Sequence, residues 1–174
     1  MRLDDVIRDL NDILHLKNKH DEKKEVVSFS KLVAEIEQAI NHFHSDEKFV
    51  IEADFSIVDE HFTLKNYLTS IFNNLISNSI KYRKPDEEPV IKVKSELAGQ
   101  KLVLTFNDNG IGMDLDKTGK DIFGLYKRFH FHVDGKGLGL FMVKSQVETL
   151  GGKITVSSAL NKGTEFRIEF DMPA

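Results

Sequence analysis

Two glycine-rich turns constrain this chain most. Asp108-Asn109-Gly110-Ile111-Gly112 follows the apolar run Leu102-Val103-Leu104-Thr105-Phe106, so it caps a strand with a carboxylate and bare backbone. Gly135-Lys136-Gly137-Leu138-Gly139-Leu140 leads into an apolar stretch ending near Leu150, so it is a loop feeding a helix. Upstream, Asn73 to Tyr82 reads as a helix whose face carries Asn74, Asn78, Lys81 and Tyr82. Any one of these stretches is weak evidence, because glycine and aspartate are what ordinary turns use. Their order and their setting on helix, strand end and helix start make the combination specific.

The rest of the chain supplies a scaffold. Residues 1 to about 24 read as a charged amphipathic helix with Leu3, Ile7, Leu10 and Leu14 on one stripe. Such a stripe is buried either on its own domain or at an interface, and the charged run from Lys17 to Glu25 favours the interface. Ser28 or Ser30 can cap a second helix bearing Leu32, Val33, Ile36 and Ile40. A short strand is expected at Phe49 to Phe55, then a long helix from about Phe62 to Arg83, stopped by Pro85. Val90 to Lys94 and Lys101 to Phe106 alternate around Ala98-Gly99-Gln100, the pattern of a hairpin. Residues 113–134 show little periodicity, as a lid between two ligand loops would. A helix from about Leu138 to Leu150 and strands at Lys153 to Ser157 and Thr164 to Phe170 close the chain. The expected fold class is α+β: a two-layer α/β sandwich, one mixed sheet with helices on a single face, preceded by an N-terminal helix.

Composition narrows the function. At 174 residues, 40% hydrophobic and 30% charged, the chain has material for one ordinary core. A net charge of -4 argues against a nucleic-acid binder. No apolar run reaches the ~18 residues of a membrane helix, so no membrane contact is expected of this stretch. Cysteine is absent, which removes disulfides and thiolate chemistry and fits a cytoplasmic location.

The motifs suit Mg-ATP. An Asn carbonyl supplies a hard oxygen for magnesium without adding charge beside a triphosphate, and Asn74 and Asn78, one turn apart, each carry one. Lys81 offsets phosphate charge, and Tyr82 donates its hydroxyl or covers the nucleotide. Asp108 accepts from the exocyclic amino group of adenine, where guanine presents a carbonyl. Gly110 and Gly112 let the backbone pass close to the base. The amides of Gly135, Lys136, Gly137, Leu138, Gly139 and Leu140, with the helix start behind them, suit phosphates. Neither a Walker loop nor a dinucleotide fingerprint is present.

These stretches resemble the ATP-binding domain of sensor histidine kinases, within the GHKL ATPase superfamily (gyrase, heat-shock chaperone, histidine kinase and MutL-type). Asn74 to Tyr82 match its asparagine box, Asp108 to Gly112 its first glycine box and Gly135 to Leu140 its second. Ile122 to Phe129 resemble its phenylalanine box, and Gly163-Thr164-Glu165-Phe166 its closing G-T-x-F element. The likeness runs over roughly residues 30 to 172. It implies a Bergerat-type fold over residues 28–174, ATP and Mg2+ as ligands, Asn78 on magnesium, Asp108 on adenine, and Thr164 supporting the base through its hydroxyl. It further implies that the γ-phosphate is presented to a phosphoacceptor histidine, with Asn78 and Lys81 as the catalytic pair. The partners so implied are a phosphoacceptor hairpin, a response regulator receiver domain and, in the parent protein, a second copy.

Residues 1–27 resemble the second helix of that hairpin. The family's acceptor histidine lies on the first helix, before an acidic residue, and the chain is expected to be a fragment that starts after it. His20-Asp21-Glu22-Lys23 copies the local pattern but falls at the far end of the helical stretch. Two other readings compete: a GHKL ATPase module driving conformational change, and a nucleotide-sensing pseudokinase that binds ATP without transfer.

Overall fold

Alternation of apolar and polar residues builds the sheet. In the computed structural model, which describes residues 23–43, 48–118, 122–125 and 137–172, the inward positions Leu102, Leu104 and Phe106 of β5 (Lys101–Asp108) are buried. β5 pairs antiparallel with β4 (Val90–Ala98) and with β7 (Gly163–Asp171). Gly99, at φ +64°, turns the β4–β5 hairpin in the left-handed region that glycine adopts without strain. β6 (Gly152–Ala159) adds to β7, and β2 (Val50–Asp54) joins β4 in parallel, giving the order β2-β4-β5-β7-β6. A parallel pair needs a crossover, and the chain between β2 and β4 supplies one through a long helix.

That helix, α2 (Lys65–Lys81), buries Leu68, Ile71, Phe72, Leu75, Ile76 and Ile80, a 3.6-residue stripe. Phe72 lies edge-on to Phe106 of the sheet, ring centroids 4.8 Å apart, and stacks on Phe29 at 5.9 Å. Burying each such ring contributes about 1.5–3 kcal/mol, so this cluster seats α2 on the sheet. α1 (Phe29–Phe43) and α4 (Gly139–Thr149) complete the layer through Leu32, Val33, Ile36, Val143 and Val147. The opposite face of the sheet is charged: Arg167 pairs with Glu96 and Glu169, and Lys101 with Glu169. The expected two-layer mixed-sheet architecture is the one found.

Local boundaries differ from expectation in instructive places. Glu25–Ser28 forms a strand, β1, paired with β3 (Glu60–Thr63), where sequence alone suggested the tail of a helix and then a cap. The ribbon therefore begins three residues before the expected domain start at residue 28. α2 starts at Lys65, because Phe62 and Thr63 belong to β3, with Phe62 61% exposed. Of the two candidate caps, Ser28 accepts the Lys31 amide at 3.3 Å, and the Asp59 carboxylate accepts the Ser30 amide at 2.7 Å. Within residues 113–134, Leu115–Thr118 forms one helical turn, α3, and Ile122 is buried. The expected helix ran to about residue 24, but Lys23 and Lys24 are not helical; residues 1–22, His20 among them, and most of the expected lid lie outside the described residues. Among the described residues no helix is long and apolar enough to cross a membrane.

Candidate nucleotide-binding site

Asp108 ends β5 and gathers three segments of the chain. Its Oδ1 accepts from the Gly110 amide at 2.9 Å and the Thr164 amide at 3.1 Å, and its Oδ2 from the Ser79 hydroxyl at 3.2 Å. A carboxylate has about four lone-pair directions, so one acceptor position remains for a ligand. Burial pushes the Asp108 carboxyl above its ordinary value of 3.8, opposed by the Gly110 and Thr164 amides and the Ser79 hydroxyl. The donors thus favour the ionised acceptor in a place that disfavours charge. This chemistry fits an adenine amino group.

Close backbone contacts explain the glycines. A Cβ on Gly110 would lie 2.6 Å from the Tyr82 carbonyl oxygen, and that same oxygen accepts the Ile111 amide at 3.0 Å. The turn is thereby tied to the end of α2. Gly112, at φ +63°, leaves 2.0 Å between such a Cβ and the Ala159 carbonyl. Gly163, at φ +90°, would put one 1.8 Å from the Asp108 carbonyl. Thr164 supports Asp108 through its amide, while its hydroxyl lies 2.9 Å from that of Ser158.

Further toward the N-terminus of α2, Asn74 and Asn78 face the start of α4. A Cβ on Gly139 would lie 3.0 Å from Asn74 Oδ1 and 3.9 Å from Asn78 Nδ2. Asn74 Nδ2 donates to the Ser70 carbonyl at 2.8 Å, which turns its oxygen toward Gly139. Gly137, at φ +71°, and Leu138, at the N-cap, lead into α4, and the Leu138 side chain supplies no cap to its first amides. Uncapped amides at a helix start suit an anion. Leu138 is buried and Leu140 packs on the core, so these two residues offer a ligand their backbone. Lys81 lies in the last turn of α2 with its ammonium 5.4 Å from the Tyr82 ring centre. Among the described residues no group of three or more His, Cys, Asp or Glu is arranged to hold a metal. The carboxamide of Asn78 carries a neutral oxygen of the kind that magnesium takes beside waters and phosphate oxygens.

The structure brings together Asn74, Asn78 and Gly139 at one end of the site, and Tyr82, Asp108, Gly110, Gly112 and Thr164 at the other. Gly135 and Lys136 lie outside the described residues. Three supporting residues escaped sequence reasoning. Ser79 holds Asp108. Ser158 accepts the Met113 amide at 2.9 Å and donates to the Gly163 carbonyl at 2.8 Å. Asn109 accepts the Val90 amide and donates to the Glu88 carbonyl, fixing the entry to β4. Only the place of Asn109 beside Asp108 hinted at such a role.

Residues 63–174 match the family of histidine kinase-, DNA gyrase B-, and HSP90-like ATPases, and the chain belongs to it. The sensor protein RprX of Bacteroides fragilis is 37% identical over 59% of this chain and 20% of its own length. The sensor protein kinase WalK of Staphylococcus saprophyticus is 30% identical over 94% of this chain and 28% of its own. The chain thus spans less than a third of these relatives. The Acinetobacter baumannii histidine kinase AdeS has the same fold at a TM-score of 0.77 and 23% identity, covering 99% of this chain and 79% of that one.

Proposed function

We propose that this chain carries the ATP-binding catalytic domain of a two-component sensor histidine kinase. It presents the γ-phosphate of Mg-ATP to a phosphoacceptor histidine on a helical hairpin. The carrying observation is Asp108: a half-buried carboxylate fixed by Ser79, Gly110 and Thr164 with one acceptor position left, near the C-terminal end of α2, while Gly139 meets the same helix further back at Asn74 and Asn78. Adenine docks there, and its phosphates extend toward the α4 amides and Asn78. In the transfer, the bond from the γ-phosphorus to the bridging oxygen breaks, a bond to an imidazole nitrogen forms, and ADP leaves. Asn74, Asn78, Lys81 and the α4 amides hold and neutralise the chain of phosphates. Asn78 would hold magnesium, which would supply positive charge against the phosphates.

The likeness to sensor kinases supports this reading over an ATPase module, and extends it to the residues that precede β1 as part of a hairpin helix, a receiver domain as the next acceptor, a dimeric parent and a cytoplasmic site. Two measurements test it. Calorimetry should give tighter binding of Mg-ATP than of Mg-GTP, and equal affinities would refute adenine recognition. Labelled ATP incubated with the chain and a polypeptide bearing the complete hairpin should yield acid-labile phosphohistidine, with little label on the chain alone. Nucleotide binding without any transfer would leave the pseudokinase reading. Strong labelling of the chain alone, lost in His20→Ala, would make His20 the acceptor.

A further inference from the structure

Gln146 is 5% exposed, between the fully buried Val143 and Val147 on α4. Its Nε2 lies 2.9 Å from the Ser70 hydroxyl oxygen, and its Oε1 is buried without a partner among the described residues. Turning the carboxamide over would set its oxygen on the Ser70 hydroxyl and orphan its nitrogen instead. One end goes unmatched in either orientation. A leucine would fill similar space without that penalty, so packing alone does not explain a glutamine here.

What Gln146 does is hold Ser70. The Ser70 carbonyl and hydroxyl oxygens both lie near Asn74 Nδ2, at 2.8 and 3.4 Å. With its nitrogen so pinned, Asn74 turns its oxygen to the start of α4, where a Cβ on Gly139 would sit 3.0 Å away. A helical serine left to itself swings its hydroxyl to the carbonyl one turn back. The two helices run antiparallel: Gly139 sits by Asn74 and Asn78 at one end, Gln146 by Ser70 at the other. Two contact points fix the seating of α4, and so of the amides that open it.

We propose that Gln146 is a positioning residue for the phosphate side of the site, acting through Ser70 on Asn74 and on the start of α4. This rests on the nucleotide reading above. The experiment compares Gln146→Leu, Ser70→Ala and the double variant with the parent chain. Thermal unfolding is measured without nucleotide, and calorimetry with Mg-ADP and with adenosine. Gln146→Leu should melt no lower than the parent, bind Mg-ADP about tenfold more weakly, as loss of a supporting partner does, and bind adenosine unchanged. The double variant should bind Mg-ADP no more weakly than the worse single one. Mg-ADP affinity within twofold of the parent would overturn the proposal, as would equal losses for adenosine, which mark a general loosening. Should Gln146→Leu not fold, Ser70→Ala carries the same comparison. A parent chain that binds neither ligand would sink the nucleotide reading itself and this proposal with it. A parent that binds both while the variants match it would sink this proposal alone.

Discussion

Replacing Asp108 by asparagine should separate recognition from stability. The side chain is nearly the same shape. Its oxygen keeps the Gly110 and Thr164 amides, and its new nitrogen can donate to Ser79 Oγ. In the native site the single Ser79 proton is shared between Asp108 and the Leu75 carbonyl, at 3.2 and 3.1 Å. In Asp108→Asn that proton goes to Leu75 alone, and every contact is still made. The variant also removes a charge that burial disfavours. Because the folded carboxyl titrates above 3.8, the native state takes up a proton first as pH falls, so this group weakens the fold as pH rises from 3.8 through its folded value. Asp108→Asn should therefore melt at or above the parent temperature near pH 7 and lose that slope. Binding behaves oppositely. The ligand's amino group now meets an amide whose nitrogen cannot accept, and losing a hydrogen bond to a charged group costs about 1.5–3 kcal/mol. That is roughly a 10- to 150-fold loss of ATP affinity. Differential scanning calorimetry with titration calorimetry reads both. A folded variant with parental ATP affinity would remove Asp108 from the adenine site, and a variant that melts several degrees lower would make Asp108 mainly a structural tie.

Asn78→Ala should leave the melting temperature near parental and abolish the gain in ATP affinity on adding magnesium, about tenfold. Affinities with and without chelator decide it, and a persistent magnesium effect would move the metal to Asn74. Gly163→Ala should cost more than about 3 kcal/mol, since a Cβ there meets the Asp108 carbonyl at 1.8 Å in a left-handed backbone. Gly99→Ala, equally left-handed but with open space around it, should cost only about 1–2 kcal/mol in urea unfolding. His61 is half-buried and stacks on Phe170 at 5.4 Å, and burial, then Lys24, lowers its pKa from 6.5. The unfolded chain thus protonates first, and stability falls as pH drops below about 6.5 through the lower folded value. His61→Phe should flatten that part of the profile, and an unchanged slope would assign it to another group.

Wherever an apolar period was long, the sequence announced its element. The α2 stripe from Leu68 to Ile80 and the β7 alternation of Phe166, Ile168 and Phe170 are examples. The ribbon of β1 and β3 was not legible, because Glu-Val-Val-Ser and Glu-His-Phe-Thr are too short to show a period and are defined by pairing with each other. The same distinction holds in the site. Asp108, Asn78 and the glycines are chemically distinctive at their spacing, whereas Ser79 and Ser158 are ordinary serines until the fold turns their hydroxyls on Asp108 and Gly163. The part of Gln146 was hidden for the opposite reason: a lone amide on a helix reads as solvent-facing, and only burial reveals otherwise.

The donors on Asp108 come from 29 residues before it and 56 after it, as well as from its own turn. Partly assembled chains lacking either α2 or β7 hold no fixed acceptor and gain nothing from a purine. A ligand that rewards only the finished state leaves the rate of refolding untouched and lowers the rate of unfolding. Nucleotide should therefore lengthen the survival of the domain against a protease in denaturant while its refolding half-time stays the same. For such a domain, occupancy by ATP sets its lifetime as well as its chemistry.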